Sequence, residues 1–368
     1  MKQILNWMMA AVALMTATNV SAQRIQVTDK EGNAIPMVSV LADDGTFIGI
    51  TDIDGVLSDV KGAQVATFTH VAYKSKKANV GQGGMITLDD ADFDLPEIVV
   101  TPKPLVYVQT YYRIFYLADY PDGDKDDVCY YRAGLLNNSY NRKTKDVSSD
   151  EDHISGANMG ALKSVLNMII GLYIKPLASL RVSKMESRLK NAYKEINLEI
   201  VPDGSGRQLI KDTLGLVGSI VDYPEKGERW YSYEQHTLSR HLIQITGSDK
   251  KKSKTEKRDE RQKNRKDQDF TVYHIDAEGN YSPEDFVMSQ SATSYDSEKY
   301  GQTVPVNILI QVFNVERAYV TKEELKEIKK ENKMKMTYKN ILDFEQSKKI
   351  APLPEVFMNR INDFMKQE

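Results

Sequence analysis

The sequence predicts a β-sandwich on the N-terminal side, followed by an α+β domain with an antiparallel sheet and inserted helices. Three observations carry this. Residues 24–101 break into about seven short β-type runs separated by turn chemistry. Two later segments, 105–116 and 303–320, keep a two-residue apolar alternation over long stretches. Around them lie windows whose apolar residues recur at helical spacing.

Along the first region, Ile25 and Val27 alternate with polar neighbours until Asp29-Lys30-Glu31-Gly32-Asn33 closes a turn. Pro36 opens the run Met37–Ala42, with Val38 and Val40 on one face. Asp43-Asp44-Gly45 turns the chain, and Thr46–Ile50 leads into Thr51-Asp52-Ile53-Asp54-Gly55. Asp52 and Asp54 could be imagined as calcium ligands, but carboxylates in such a turn ordinarily accept local backbone N–H bonds. Val65–His70 and Tyr73–Val80 form another strand pair, and Met85–Leu88 closes the set.

The order of these elements, with its Asp-x-x-Gly turn, Pro-initiated strand, Thr-Asp-x-Asp-Gly turn and Phe68-Thr69-His70-Val71-Ala72-Tyr73, resembles the carboxypeptidase-regulatory-like domain. That domain is a transthyretin-like seven-stranded sandwich common in exported proteins of the Bacteroidota. The tail Leu95-Pro96-Glu97-Ile98-Val99-Val100-Thr101 is similar to the family's Leu-x-Glu-Val-Val-Val ending. Arg24 and Ala72 replace frequent glycines, so Ala72 is expected at negative φ. The resemblance implies an accessory, non-catalytic module. In TonB-dependent receptors it precedes a plug and a barrel, and the residues after 101 are too few to expect both.

Beyond the hinge at Pro102 and Pro104, Leu105–Tyr116 reads as a strand. Val106, Val108, Thr110 and Tyr112 lie on one face, and Tyr107, Gln109, Tyr111 and Arg113 on the other. Asp122, Asp124 and Asp126 imitate the start of an EF-hand loop, but Asp127 and Ala133 stand where Gly and Glu are required, so an acidic turn is expected. Val128–Ala133, continuing towards Tyr140, reads as the partner strand. Arg142–Ser155 reads as loop. Residues 157–174 and Lys184–Ile196 have helical apolar stripes, and Gln208–Val221 reads as helical or mixed, with Gly215 and Gly218 against it.

Glu228–Leu238 and His241–Thr246 read as an aromatic strand pair. Asp249–Asp269 has no apolar residue, and its ten Lys/Arg against six Asp/Glu predict a long, solvated, charged loop. Contact with anionic lipid headgroups or polysaccharide is the lesser expectation. Phe270–Ile275 and Asn280–Ser282 flank a hairpin turn. Thr303–Val320 is a strand with Pro305 suggesting an edge position at its start, and Thr321-Lys322-Glu323-Glu324 caps a helix from Lys322 to about Lys333. A last amphipathic helix follows Pro352 and Pro354.

The N-terminus has the parts of a secretory signal: Lys2, the apolar Met8–Ala17, and Val20-Ser21-Ala22 as cleavage site. The expected organisation is thus a signal peptide over 1–22, a sandwich over 23–101 and an α+β domain over 102–368. The single cysteine, Cys129, leaves no internal disulfide to expect in an exported chain. Net charge of −3 gives no reason to expect nucleic acid as a partner.

None of the five histidines is followed at once by Glu or has Glu three residues on, so neither His-Glu-x-x-His nor a His-x-x-Glu zinc pair exists. There is no Gly-x-Ser-x-Gly elbow, and Gly204-Ser205-Gly206 lacks the Lys of a phosphate loop. His236 and His241, placed on a strand, would face opposite ways. No catalytic, cofactor-binding or metal residue is therefore nominated. The expectation is an exported cell-envelope binding or scaffold protein without catalytic activity, in the periplasm or at the outer membrane, with an envelope protein or glycan as partner and peripheral contact with the outer membrane. The alternative is a hydrolase of envelope peptide or glycan with dispersed carboxylates.

Overall fold

Among the described residues of the computed structural model, seventeen strands form three sheets. The structure describes residues 24–93, 103–118, 128–150, 194, 196–299, 302–331 and 338–359. The signal segment 1–22, the tail 95–101, the acidic turn 122–126 and the two helical windows within 157–196, apart from 194 and 196, lie outside the described residues.

Six of the first seven strands fall on the runs expected from the sequence, and β4 is additional. They are β1 (Ile25–Thr28), β2 (Ser39–Ala42), β3 (Phe47–Ile50), β4 (Val56–Leu57), β5 (Val65–His70), β6 (Tyr73–Asn79) and β7 (Gly84–Thr87). They build a three-stranded sheet ordered β4-β1-β7 and a four-stranded sheet ordered β3-β2-β5-β6, with β1 and β7 parallel. Asp52 Oδ1 accepts from the N–H of Asp54 and Val56 at 3.0 and 2.9 Å, the local turn chemistry expected of it. Ala72 does not adopt positive φ.

The third sheet has ten strands, all antiparallel to their neighbours: β8 (Leu105–Ala118), β9 (Val128–Asn141), β10 (Val147–Asp150), β11 (Glu199–Pro202), β12 (Arg207–Asp212), β13 (Gly215–Tyr223), β14 (Glu228–Glu234), β15 (Gln262–His274), β16 (Phe286–Lys299) and β17 (Gln302–Val320). Its order is β10-β9-β8-β17-β16-β15-β14-β13-β12-β11. The long alternating segments sit at its centre, where β8 pairs β17 from Leu105↔Val320 to Ala118↔Val306. Pro305 falls beyond the end of that pairing and opposes only Asp296 of β16 among the described residues, so a residue without an N–H is tolerated in a central strand.

Several expectations are corrected. Residues 208–221 are strands β12 and β13, joined by a turn in which Asp212 Oδ1 accepts from the N–H of Leu214 and Gly215. Gly215 there adopts φ +146°. Residues 147–150 form an edge strand where loop was expected. The strand predicted over 228–238 ends at Glu234, and helix α1 (Gln235–Thr246) replaces the partner strand, stopped by Gly247 at φ +65°. The charged run 249–269 is helix α2 (Asp249–Arg261) running straight into β15. Helix α3 (Lys322–Glu331) has the expected capping box, with Glu324 N–H to Thr321 Oγ1 at 3.2 Å and Thr321 N–H to Glu324 Oε2 at 2.7 Å. Helix α4 (Tyr338–Ser347) had no counterpart in the sequence reading.

Alternation gives the ten-stranded sheet two apolar faces. One carries Val106, Val108, Tyr112, Tyr231, Tyr233 and Val312, against which Leu238 of α1 packs. The other carries Tyr111, Phe115, Trp230, Phe270 and Phe313 and shares a continuous core with Val27, Val40 and Phe68 of the small sheets and with Ile341 of α4. Edge-to-face rings, Tyr73 with Trp230 and His70 with Phe270, cross that boundary with centroids 5.7 and 4.6 Å apart.

Gly218 shows how closely the strands approach. A Cβ there would meet Ser232 O at 2.7 Å and Tyr233 Cβ at 2.9 Å. Gly218→Ala is expected to cost about 1–3 kcal/mol, because backbone must move to admit the methyl group. A lowered urea midpoint with an unchanged slope checks this.

Candidate functional site

Where the small sheets meet the large one, polar side chains are threaded through the apolar core. Gln290 of β16, Gln311 of β17 and Arg113 of β8 are direct cross-strand neighbours. Gln290 Nε2 donates to Met37 O at 2.8 Å, and its Oε1 accepts from Val71 N–H at 3.1 Å and from Gln311 Nε2 at 2.7 Å. Arg113 Nε donates to Gln311 Oε1 at 2.7 Å, and its Nη1 donates to Glu345 Oε1 and Ala351 O, both at 3.0 Å. Tyr111 Oη also donates to Glu345 Oε1, at 2.7 Å, and burial raises this phenol well above its ordinary pKa. The Arg113 and Glu345 side chains are 3% and 4% exposed, so this ion pair is held out of water by its partners. One end of the chain grips Met37, a non-glycine residue at φ +62°, and the other grips α4.

Two further fastenings join the sheets. Arg207 donates to Ile53 O at 2.9 Å, Asp54 Oδ1 at 2.8 Å and Asp203 Oδ2 at 2.9 Å. Asp54, which the sequence offered as a turn residue, thus also bridges to β12. Tyr223 Oη donates to Asp29 Oδ2 at 3.2 Å. His70 lies at the same boundary. Its Nδ1 accepts from Ala72 N–H at 3.2 Å, which places the proton on Nε2, a buried atom with no partner among the described residues. Burial pushes its pKa down to about 3.

Two other described histidines, His236 and His241, also have close side-chain partners. His236 and His241 sit on helix α1, correcting the strand placement, because the apolar residues Leu238, Leu242 and Ile245 follow helical spacing. His241 Nδ1 lies 2.7 Å from Asp212 Oδ2. His236 Nδ1 lies 2.6 Å from Arg258 Nη2, and its Nε2 lies 3.2 Å from Asp259 Oδ1, so the imidazole clips α2 onto α1. Burial, then the Arg258 charge, lowers its pKa. Among the described residues, no three His, Cys, Asp or Glu side chains gather as a metal set, and no helix is long and apolar enough to cross a membrane. His153 lies outside the described residues. Cys129 sits in β9 opposite Leu117.

An open cleft of about 270 Å³ lies between β3–β4 and the ends of β15, β16 and β17. Phe47, Ile48 and Leu57 form its apolar wall, Tyr295 and Asn307 stand on the large sheet, and exposed Lys61 and Lys266 stand at its rim. Two non-glycine residues at positive φ line it, Lys61 at +49° and Asn264 at +53°. Asp59 Oδ1 holds the first by accepting Lys61 N–H at 2.7 Å, and Asn264 Nδ2 donates to Asp296 Oδ2 at 2.7 Å. Asn264 sits in the irregularity of register between Lys263 and Lys266, where β15 carries one residue more than β16, with the strands paired on both sides of it. Asn307, 6% exposed, has an amide nitrogen without a partner among the described residues. Burial raises the Tyr295 phenol, while Arg265, 5.5 Å over its ring, works the other way. Sequence reasoning missed this cleft. The first eight residues of β15, Gln262–Asp269, are all polar, so nothing in the local pattern sets Lys263–Lys266 apart.

No family model matches this chain, and no curated relative matches it. Among solved structures, a chain described as "lipid-protein interactions in lipovitellin" overlays 59% of this chain with TM-score 0.31 and 7% identity. This chain covers 26% of that chain's length. The overlay is too loose to bear on fold or function.

Proposed function

We propose that the chain is an exported cell-envelope binding or scaffold protein without catalytic activity of its own. The observation that carries this reading is the polar chain from Met37 to Glu345. Charged and amide side chains of the kind that could do chemistry are spent there on fixing the ten-stranded sheet to the turn before β2 on one side and to helix α4 on the other. Such rigidity suits a platform that presents surfaces to a partner. The cleft beside Lys61 and Lys266 is the surface to which we assign partner contact, its apolar wall supplying burial and its rim charges orientation. Seven strands in two sheets sharing one core support reading residues 24–93 as the sandwich module of the carboxypeptidase-regulatory-like type. The signal-like N-terminus and that module's usual company support a location in the periplasm or at the outer membrane.

Crosslinking followed by co-purification from intact envelopes tests the reading. A defined envelope partner is expected, recovered several-fold less with K61E/K266E while the melting temperature stays unchanged. Turnover of cell-wall peptide or glycan by the purified protein would overturn it in favour of a hydrolase.

A further inference from the structure

Helix α2 has no apolar residue, and its basic side chains are not spread evenly. At 100° per residue, Lys250, Lys254, Lys257 and Arg261 fall within about 60° of one another, and all four are exposed. Asp249, Glu256 and Glu260 fall on a separate stripe, and Asp259 faces His236. Like charges four residues apart weaken a helix, so this segregation works against its stability in isolation. The clip of Arg258 and Asp259 on His236, with Arg240 Nε 3.9 Å from Asp259 Oδ2, holds the helix in place regardless. The result is a straight, fixed row of four cations about 16 Å long, spaced roughly 4.5–6 Å along the axis.

We infer that this stripe is a binding surface for an unbranched acidic polysaccharide. Three features select that partner among polyanions. No apolar side chain on α2 could enter a bilayer, which an interfacial helix requires. No aromatic residue interleaves the cations, as a single-strand nucleic-acid surface would have. A straight row of cations roughly 4.5–6 Å apart also suits an extended polymer with about one carboxylate per sugar. Helix α3 provides the contrast. Its four lysines are matched by four glutamates, and Lys330 Nζ bonds Glu327 Oε1 at 3.1 Å.

The test uses the full chain with polygalacturonate, and with its methyl ester as the uncharged control. Binding to the acid form is expected to weaken about tenfold or more between roughly 50 and 200 mM salt. K250Q/K254Q/K257Q is expected to lose at least about tenfold in affinity at the lower salt with unchanged helicity, since glutamine keeps helix propensity. K326Q/K329Q/K330Q on α3 is expected to bind as the parent does. Absence of binding at low salt, equal binding of the methyl ester, a triple α2 variant that binds as the parent, or tighter binding to an oligonucleotide or to anionic vesicles would each overturn the inference.

Discussion

Arg113→Met is expected to destabilise the protein by about 3–5 kcal/mol, the usual cost of stranding one buried charge. Without the guanidinium, Glu345 Oε1 keeps only the Tyr111 hydroxyl, and Gln311 Oε1 loses its donor. The double variant R113M/E345L removes both charges and is expected to recover most of the loss, since an apolar pair of similar volume often replaces a buried ion pair at little cost. Denaturant midpoints of the parent, the two single variants and the double form the cycle. If Arg113→Met alone unfolds at the parent's midpoint, the polar chain does not fasten α4 to the sheets.

The second large effect is acid sensitivity at His70. The folded protein holds this imidazole neutral down to about pH 3, whereas the unfolded chain protonates it near 6.5. The folded value lies below the unfolded one, so the unfolded state takes up the proton first as pH falls. The contribution is intact above 6.5 and is lost progressively down to about 3. Each pH unit in that window removes about 1.4 kcal/mol, some 4–5 kcal/mol in all. His70→Asn, whose amide oxygen can accept Ala72 N–H in place of Nδ1, is expected to flatten the slope of stability against pH between 6 and about 4 relative to the parent. Equal slopes would show that His70 does not titrate in unfolding.

The strands at the sheet's centre were readable because their alternation is long. In the run from Val106 to Arg113, Val106, Val108 and Tyr112 enter one core and Tyr111 the other, and Ile310 and Val312 of the later run join the first. What local pattern could not reveal was pairing. Strand β16 is rich in Ser, Thr, Gln and Asp, and its buried Gln290 is satisfied by Met37, Val71 and Gln311, residues that no spacing rule links to it. The segment 249–261 looked like loop because it has no apolar residue, yet a tertiary clip from His236 makes it a helix. Residues 208–221 looked helical because Leu, Ile and Val recur there at mixed spacing. Gly218, pressed against Ser232 O, and Gly215 at positive φ belong to close-packed strands and a tight turn. The cleft was invisible for a similar reason, since β3 and β15 meet only in three dimensions.

The sheet order also sets a timetable. Strand β8 is flanked by β9, which follows it at once, and by β17, whose Gln311 lies 198 residues after Arg113. At roughly 5–20 residues per second of synthesis, about 10–40 s separate the emergence of these two strands. Through that interval the β8–β9 hairpin carries a long, aromatic, unpaired border, the kind of edge that recruits foreign strands. The centre of the sheet is therefore its last seam to close. A chain of this topology folds slowly, and its yield depends on whatever shields β8 until β17 arrives.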